Sequence, residues 1–479
     1  MNLLVIDVGT SSIRAAIVRP GAGVTVSRHH PLLPDSPAPG LVEFDARAMA
    51  EAVLDLGRAV LAEGGPVDAV GITNQRASAV VWDRATGEPV GPGIGWQDLR
   101  TVIDCLTLGA QGVRLAPNLT ATKAAHLLDL ADPDRSRDLC IGTVDSWLVW
   151  TLTGGARHVT DPTNVGLTGL RTADQLEWDQ RVLDALRIPT AALPEVVDSS
   201  GVIGEATALP GAPPIAGILG DQQASLLGQG CVAPGDAKIT FGTGGMLDLC
   251  LSERPTFATQ GSGGTFPIVT RGLGGQRRWG LEAVMLAAGT NVEWLRDDLG
   301  IIADAAESHA VAAACADTDG VAYVPALLGL GTPTWDYGAR GALLGITRGT
   351  GRPQIVRAVL EGVANRAADL VEAAEADGGL AIPTLRIDGG MSDNPTFVQA
   401  LANATGRSVE VSPERESTTL GAAYAAGLAL GAWADEAEIA GTWTPRAVVE
   451  PAAEVDRERW ADTLRRAERW HPELSAISF

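Results

Sequence analysis

An acid followed by two amides, Asp221-Gln222-Gln223, stands directly after Gly220 and the apolar run Pro214 to Leu219. A helical pattern follows, so the cluster lies where a strand passes into a helix. A carboxylate at such a junction can hold a hydroxyl and accept its proton, with Gln222 orienting the hydroxyl. An Asp that opens a helix is often only an N-cap, but two adjacent amides favour a ligand site. A second polar turn lies near the N-terminus, where Leu3 to Ile6 leads into Asp7-Val8-Gly9-Thr10-Ser11-Ser12 and the apolar run Ile13 to Val18. This is the pattern of a β-hairpin whose turn offers backbone N–H groups and hydroxyls to a phosphate. Gly9 lets the backbone approach an anion, and Thr10, Ser11 and Ser12 can donate hydrogen bonds. Asp7 could hold a hydrated Mg2+, and Arg14 could neutralise phosphoryl charge. Alone, the turn is equally an ordinary polar hairpin. Together, a hydroxylated acceptor and a phosphate donor imply a kinase for a small alcohol or sugar.

Further polar groups fall at strand ends. Thr73-Asn74-Gln75-Arg76 follows the strand-like Ala69 to Ile72, at the carboxyl end where α/β proteins bind ligands. Trp96-Gln97-Asp98 could supply a flat apolar wall for a carbon chain, although either segment also fits simple loop chemistry. In the second half, Ala237 to Phe241, the turn Gly242-Thr243-Gly244-Gly245 and Met246 to Leu251 echo the first hairpin. Leu385 to Gly390 then runs into Met391-Ser392-Asp393-Asn394-Pro395 and a helix. Paired glycines there allow a purine or ribose to approach, with Asn394 as a polar contact. Glycine at a helix start is equally common without any ligand. Two hairpins with phosphate-sized turns predict a duplicated architecture with nucleotide between the halves.

The 479 residues exceed what one core usually supports, and 46% are apolar, so two domains are expected. Short apolar runs alternating with Ala-rich stretches indicate an α/β class. Helices are expected over 46–62, 355–376 and 394–405, with the domain boundary at Cys231 to Gly235. After residue 432 the tail, with Trp460 and Trp470, reads as one or two helices packed on the second domain. A formal charge of −22 argues against nucleic acid or an anionic membrane as partner. No apolar run of about eighteen residues and no signal-like segment is present, so a cytoplasmic location is expected. The five cysteines show no CxxC spacing and the six histidines no metal spacing, which disfavours a metal hydrolase.

In order, these segments resemble the FGGY carbohydrate kinases, and within them the glycerol kinases most closely, from about Asn2 to Trp433. The family's C-terminal signature is matched by Gly341 to Ile346, the spacer Thr347 to Pro353, and Gln354 to Glu361. Gly71 to Arg76, His158 to Asn164, Gly220 to Gln223 and Gly329 to Asp336 are also similar. The resemblance implies an actin-like ATPase fold of two duplicated, RNase H-like domains closing on ATP, Mg2+ and a polyol or sugar. It assigns residues 1–230 to the acceptor, phosphate turn and catalytic Asp, 231–432 to the nucleotide, and 433–479 to the tail. It implies Asp221 as catalytic base, and Asp7, Gly9, Thr10, Ser11, Ser12 and Arg14 as the phosphate and Mg2+ turn. Thr243, Gly289, Gly390 and Asn394 would meet the nucleotide; Gln75, Arg76, Trp96, Asn118, Asp221 and Gln222 would meet the acceptor. A homodimer is compatible with the family.

Two positions depart from the glycerol kinase pattern. Ala77 stands where a Glu usually follows the Asn-Gln-Arg motif, and Asn118 where an aromatic is usual. Both replacements alter the acceptor pocket, and unpaired buried hydroxyls discriminate strongly between substrates. Glycerol is therefore the leading acceptor, with a tetritol, pentitol, xylulose or ribulose as alternative. A non-catalytic sugar sensor would predict damage at Asp7 or Asp221, and both are intact.

Overall fold

The computed structural model describes residues 1–477. The last two residues of the expected tail lie outside the described residues. Strands β1 (Leu3–Val8) and β2 (Ser12–Arg19) form the expected hairpin, and their register sets Asp7 opposite Arg14. Strand β3 (Gly23–Pro31) pairs antiparallel with β2. On the other side of β1, β4 (Ala69–Asn74) and β6 (Pro214–Gly220) run parallel to it, with β5 (Ser200–Glu205) antiparallel at the edge. The order is β5-β6-β4-β1-β2-β3.

The second sheet contains β7 (Ala237–Phe241), β8 (Gly245–Cys250), β9 (Phe266–Leu273), β10 (Gln276–Met285), β11 (Thr384–Asp388), β12 (Ser408–Val411) and β13 (Ala447–Val449). Its order is β9-β10-β8-β7-β11-β12-β13. Both sheets contain one unit: an antiparallel run whose first strand is followed in the sheet order by two parallel strands. In the first half this is β3-β2-β1-β4-β6, and in the second β10-β8-β7-β11-β12. The duplication expected from the two hairpins is present.

Helix formation follows from caps and periodicity. Asp45 accepts hydrogen bonds from the Arg47 and Ala48 amides to open α1 (Ala46–Gly64), whose Met49, Val53, Val60 and Leu61 are buried under the first sheet. Between β4 and β5 an inserted region holds α2 (Thr120–Ala131) and its own core, including Leu128, Ile141 and Leu183. The longest helix, α4 (Arg352–Gly378), buries Val356, Val363 and Leu370 against Ile239, Leu249, Leu281 and Phe397. Helix α5 (Pro395–Thr405) follows β11.

Between the sheets lie α3 (Asp221–Gly228) and α6 (Ser417–Ala429), and glycine permits their approach. A Cβ on Gly421 would collide with the Ala224 carbonyl, and one on Gly228 with the Ser417 carbonyl. Gly217 of β6 likewise admits α6, since a Cβ there would lie 2.6 Å from the Ala426 nitrogen. Helix α6 thus packs on the first sheet: Leu420 and Ala423 share a buried cluster with Leu3, Val5, Ala69 and Ala216. A boundary at residue 231 therefore divides the sheets but not their packing.

The tail contains α7 (Glu436–Thr442), α8 (Arg457–Arg465) and the added strand β13. Trp460 packs against Val324, Ala326 and Leu330 of the second half. Trp433 and Ile439 instead join the cluster that includes Leu3 and Val5. The expectation of helices resting on the second domain alone is corrected by this split, because α6 carries the start of the tail toward the first sheet.

Gly421→Ala should lower the unfolding free energy by about 1–3 kcal/mol, because the added methyl meets backbone rather than a movable side chain. Gly441→Ala, where a Cβ meets open space, should stay within about 1 kcal/mol of the parent. Urea unfolding of the two variants checks this, and equal stabilities would contradict the close-packing argument.

Candidate active site between the two sheets

The carboxyl ends of β1, β4 and β6 are neighbours, with Val8 opposite Asn74 and Asn74 opposite Gly220. This brings the Gly9 turn, Arg76 and Asp221 to one sheet edge. The turn is closed by Gly9 N donating to Ser12 O at 2.9 Å. It is supported by Gln75, whose backbone N donates to Val8 O at 2.7 Å and whose Nε2 donates to Gly9 O at 3.3 Å. Trp96 Nε1 donates to Thr10 Oγ1 at 3.1 Å, which fixes the half-buried indole against the turn. Ser11 is exposed and Ser12 half-buried.

Burial raises Asp7 to about 6, against the pull of Arg14 and with a further upward push from Asp221. Arg14 Nη1 lies 3.9 Å from Asp7 Oδ2 and also pairs with Glu416 at the start of α6. Among the described residues no cluster of three His, Cys, Asp or Glu is arranged to hold a metal. A magnesium ion shared between one or two carboxylates and nucleotide phosphates needs no such cluster, and Asp7, a half-buried acid with an incompletely matched charge, suits that use.

Asp221 is not the N-cap of α3; that position belongs to Gly220, which makes no side-chain cap bond. The carboxylate accepts from the Gln222 amide at 2.7 Å and meets Arg76 Nε at 3.2 Å. Burial raises its pKa while Arg76 opposes the rise. Arg76 continues to Glu282 of β10, with Nη2 to Oε2 at 2.6 Å, and donates to Gln223 Oε1 at 3.3 Å. Burial works against the guanidinium charge, but Glu282 and Asp221 outweigh it and raise its pKa. One side chain therefore links a carboxylate of the first half to a carboxylate of the second.

Glu282, Lys238, Asp248 and Lys123 were absent from the sequence-derived site. Glu282 and Asp248 each carried a signal, a lone carboxylate among apolar residues of a strand. Lys123 of α2 is fully buried and donates to Gly95 O at 3.2 Å and Asn118 O at 2.8 Å. It ties the Asn118 loop to the Trp96 loop, and burial pushes it down to about 7. Asn118 itself is exposed and is held through its main chain.

The His158 to Asn164 segment acts as scaffold. Thr163 Oγ1 accepts from Gly220 N at 2.8 Å, beside Asp221, and Asn164 Oδ1 accepts from Asn74 Nδ2 at 2.9 Å. Asp161 caps this turn and accepts from Ser199 Oγ at 2.6 Å.

In the second half, parallel pairing of β7 and β11 sets the Thr243 turn beside Gly389 and Gly390. Gly289 N donates to Gly242 O at 2.9 Å, and Thr290 Oγ1 to Thr243 O at 2.8 Å. A Cβ on Gly289 would lie 2.6 Å from Gly242 O, whereas the space around Gly390 is open. Asn394 differs from the polar contact read from the sequence. Its Oδ1 accepts from Phe397 N at 3.1 Å to cap α5, and its Nδ2 donates to Ser308 Oγ at 2.9 Å. Both ends of its side chain are thus engaged within the chain.

The duplicated sheets and the cleft between them are an actin-like ATPase fold. The model of the FGGY carbohydrate kinase N-terminal domain matches residues 2–228, and that of the C-terminal domain residues 237–430. The chain belongs to the FGGY family of carbohydrate kinases, phosphotransferases with an alcohol group as acceptor. It is 42% identical to a glycerol kinase of Trichlorobacter lovleyi, over 98% of this chain and 99% of that protein. It is 41% identical to a glycerol kinase of Aromatoleum aromaticum, again over 98% of this chain and 99% of the relative. The crystal structure of Plasmodium falciparum glycerol kinase with ADP superposes with a TM-score of 0.90 at 27% identity, covering 100% of this chain and 99% of that one. A xylulose-type kinase structure from Brucella ovis, at 23% identity, TM-score 0.85 and full coverage of both chains, shares the fold.

Lys123 supplies a pH test of this framework. Its folded pKa is depressed to about 7, so the unfolded chain binds more protons above that pH, and its burial costs progressively less stability as pH rises toward the ordinary lysine range. The unfolding free energy of the parent should therefore gain on that of Lys123→Met between pH 7 and 9. A pH-independent difference in urea unfolding would contradict the buried, depressed lysine.

Proposed function

We propose that the chain is an ATP- and Mg2+-dependent kinase that phosphorylates a primary hydroxyl of glycerol to give glycerol 3-phosphate. The observation that carries this reading is Asp221, freed from capping, held against Arg76, and set at the same sheet edge as the Gly9 turn. The glycerol kinases that match over nearly the whole chain support the choice of acceptor.

In this mechanism the Gly9 to Ser12 turn binds donor phosphates through backbone N–H groups and hydroxyls, and Arg14 offsets their charge. Thr243, Gly289 and Gly390 border the nucleotide from the second half, and Asn394 shapes that border as the cap of α5. Asp7 would hold Mg2+, which supplies positive charge at the phosphates when bound. Arg76, Gln222 and Trp96 orient the acceptor, Gln75 braces the turn, and the Asn118 loop borders the pocket. Asp221 takes the proton of the attacking hydroxyl, and its raised pKa makes it a better base than an ordinary carboxylate. We assign residues 1–230 to acceptor and phosphate binding and 231–432 to the nucleotide, with residues 433–479 as a supporting tail. Among the described residues no helix is long and apolar enough to cross a membrane.

A larger acceptor is the second reading. Ala77, buried beside Arg76 at φ 60°, brings only a methyl where glycerol kinases usually carry a carboxylate.

Asp221→Asn should reduce kcat by about 10^2–10^4-fold while ATP binding persists, since the proton acceptor is removed but the Gly9 turn and the second half are left unaltered. Near-parental turnover would overturn its assignment. An ATP-consumption screen with Mg2+ over glycerol, erythritol, pentitols, xylulose and ribulose should peak at glycerol in kcat/KM. A peak at a four- or five-carbon acceptor would replace glycerol by the second reading, and silence throughout would overturn both.

A further inference from the structure

Three charged side chains form a row across the second sheet. The register sets Lys238 of β7 opposite Asp248 of β8, and Asp248 opposite Glu282 of β10. Lys238 and Asp248 are fully buried, and Glu282 nearly so. Two carboxylates directly opposite each other repel, so the row requires cations. Lys238 Nζ lies 2.7 Å from Asp248 Oδ2, and Arg76 reaches Glu282 from the first half. Asp248 Oδ1 is buried without a hydrogen-bond partner in the chain.

Lys238 also donates to Thr240 Oγ1 at 2.9 Å and to Gln222 Oε1 at 2.6 Å. The last bond decides a chemical question. An ammonium only donates, so the end of Gln222 that faces it must be the carbonyl oxygen. The side-chain nitrogen is thereby left for another partner; Gln222 is half-buried, and its backbone N donates to Asp221.

We propose that the Lys238–Asp248 ion pair is a positioning device for acceptor recognition, locking Gln222 so that its N–H groups, not its carbonyl, face the acceptor. Asp248 holds the ammonium, the ammonium holds the carbonyl, and the amide presents donors only. A hydroxyl meeting Gln222 must then accept through its oxygen and give its own proton to a carboxylate. An acceptor group that can only donate finds no partner there. The inference deepens the kinase reading and rests on it.

The test is steady-state kinetics of the full chain with glycerol and MgATP. Lys238→Met/Asp248→Leu removes both charges together, an exchange that buried ion pairs often tolerate. It should retain the parental Tm within a few degrees, raise the glycerol KM about 10-fold or more, and leave the ATP KM and kcat within about 3-fold. Gln222→Ala should raise the glycerol KM comparably, and the triple variant should be no worse than Gln222→Ala alone. Gln222→Glu, on the half-buried first turn of α3, keeps an oxygen for Lys238 but loses the donors, and should also raise the glycerol KM about 10-fold. An unchanged KM in Gln222→Glu, or multiplying effects in the triple variant, would overturn the proposal even if the double variant fails to fold. A parent chain that phosphorylates no acceptor would instead overturn the kinase reading, and this inference with it.

Discussion

The site depends on one guanidinium. Arg76 leaves the end of β4 in the first half and meets Asp221 of the same half and Glu282 of the other. With only 11% of its side chain exposed, it cannot rely on water to offset either carboxylate. Removing one partner of such a buried pair leaves an uncompensated charge, which costs several kcal/mol, on the order of 3–5. The ion pairs therefore couple three events: the placement of the proton acceptor, the placement of the acceptor-binding edge, and the approach of the two sheets.

The backbone makes that arrangement available. Parallel pairing of β1, β4 and β6 aligns their carboxyl ends, so three loops distant in sequence converge although long connections separate them. The glycines at 228 and 421 let α3 and α6 approach backbone to backbone, and Gly217 lets α6 approach β6. Asp221 opens α3 and Glu416 precedes α6, so both helices of this pair begin beside the Asp7 turn. A small rotation about the pair would move the two halves of the cleft relative to each other, as hinge and shear closures do.

The polar row of the second sheet has the opposite character from the apolar core behind it. Leu247 and Leu249 point into that core, while Asp248 between them faces the cleft. Strand alternation makes this inevitable once one face is buried. Burying charge is costly unless it is paired, and here the partners come from a neighbouring strand and from the opposite domain. That cross-domain pairing ties the electrostatics of the cleft to the way its two halves meet.

Much of this was legible in the residues. The two hairpins, the strand-to-helix junction at Asp221 and the long helix around Val356 to Ala374 follow from local periodicity and turn chemistry, which depend on neighbours a few positions apart. The family signature at Gly341 to Glu361 was equally local. The partners of Arg76 were not legible, because Glu282 lies in another sheet and no spacing rule links positions so far apart. The cap bond of Asn394 to Phe397 is local, but its bond to Ser308 was not legible, because that forms only when α5 meets the segment holding Ser308. In the sequence, Lys238, Asp248 and Glu282 each stand between apolar residues of separate strands. Only the strand order β10-β8-β7 makes them neighbours, and register, a property of the assembled sheet, decides which atoms face Gln222.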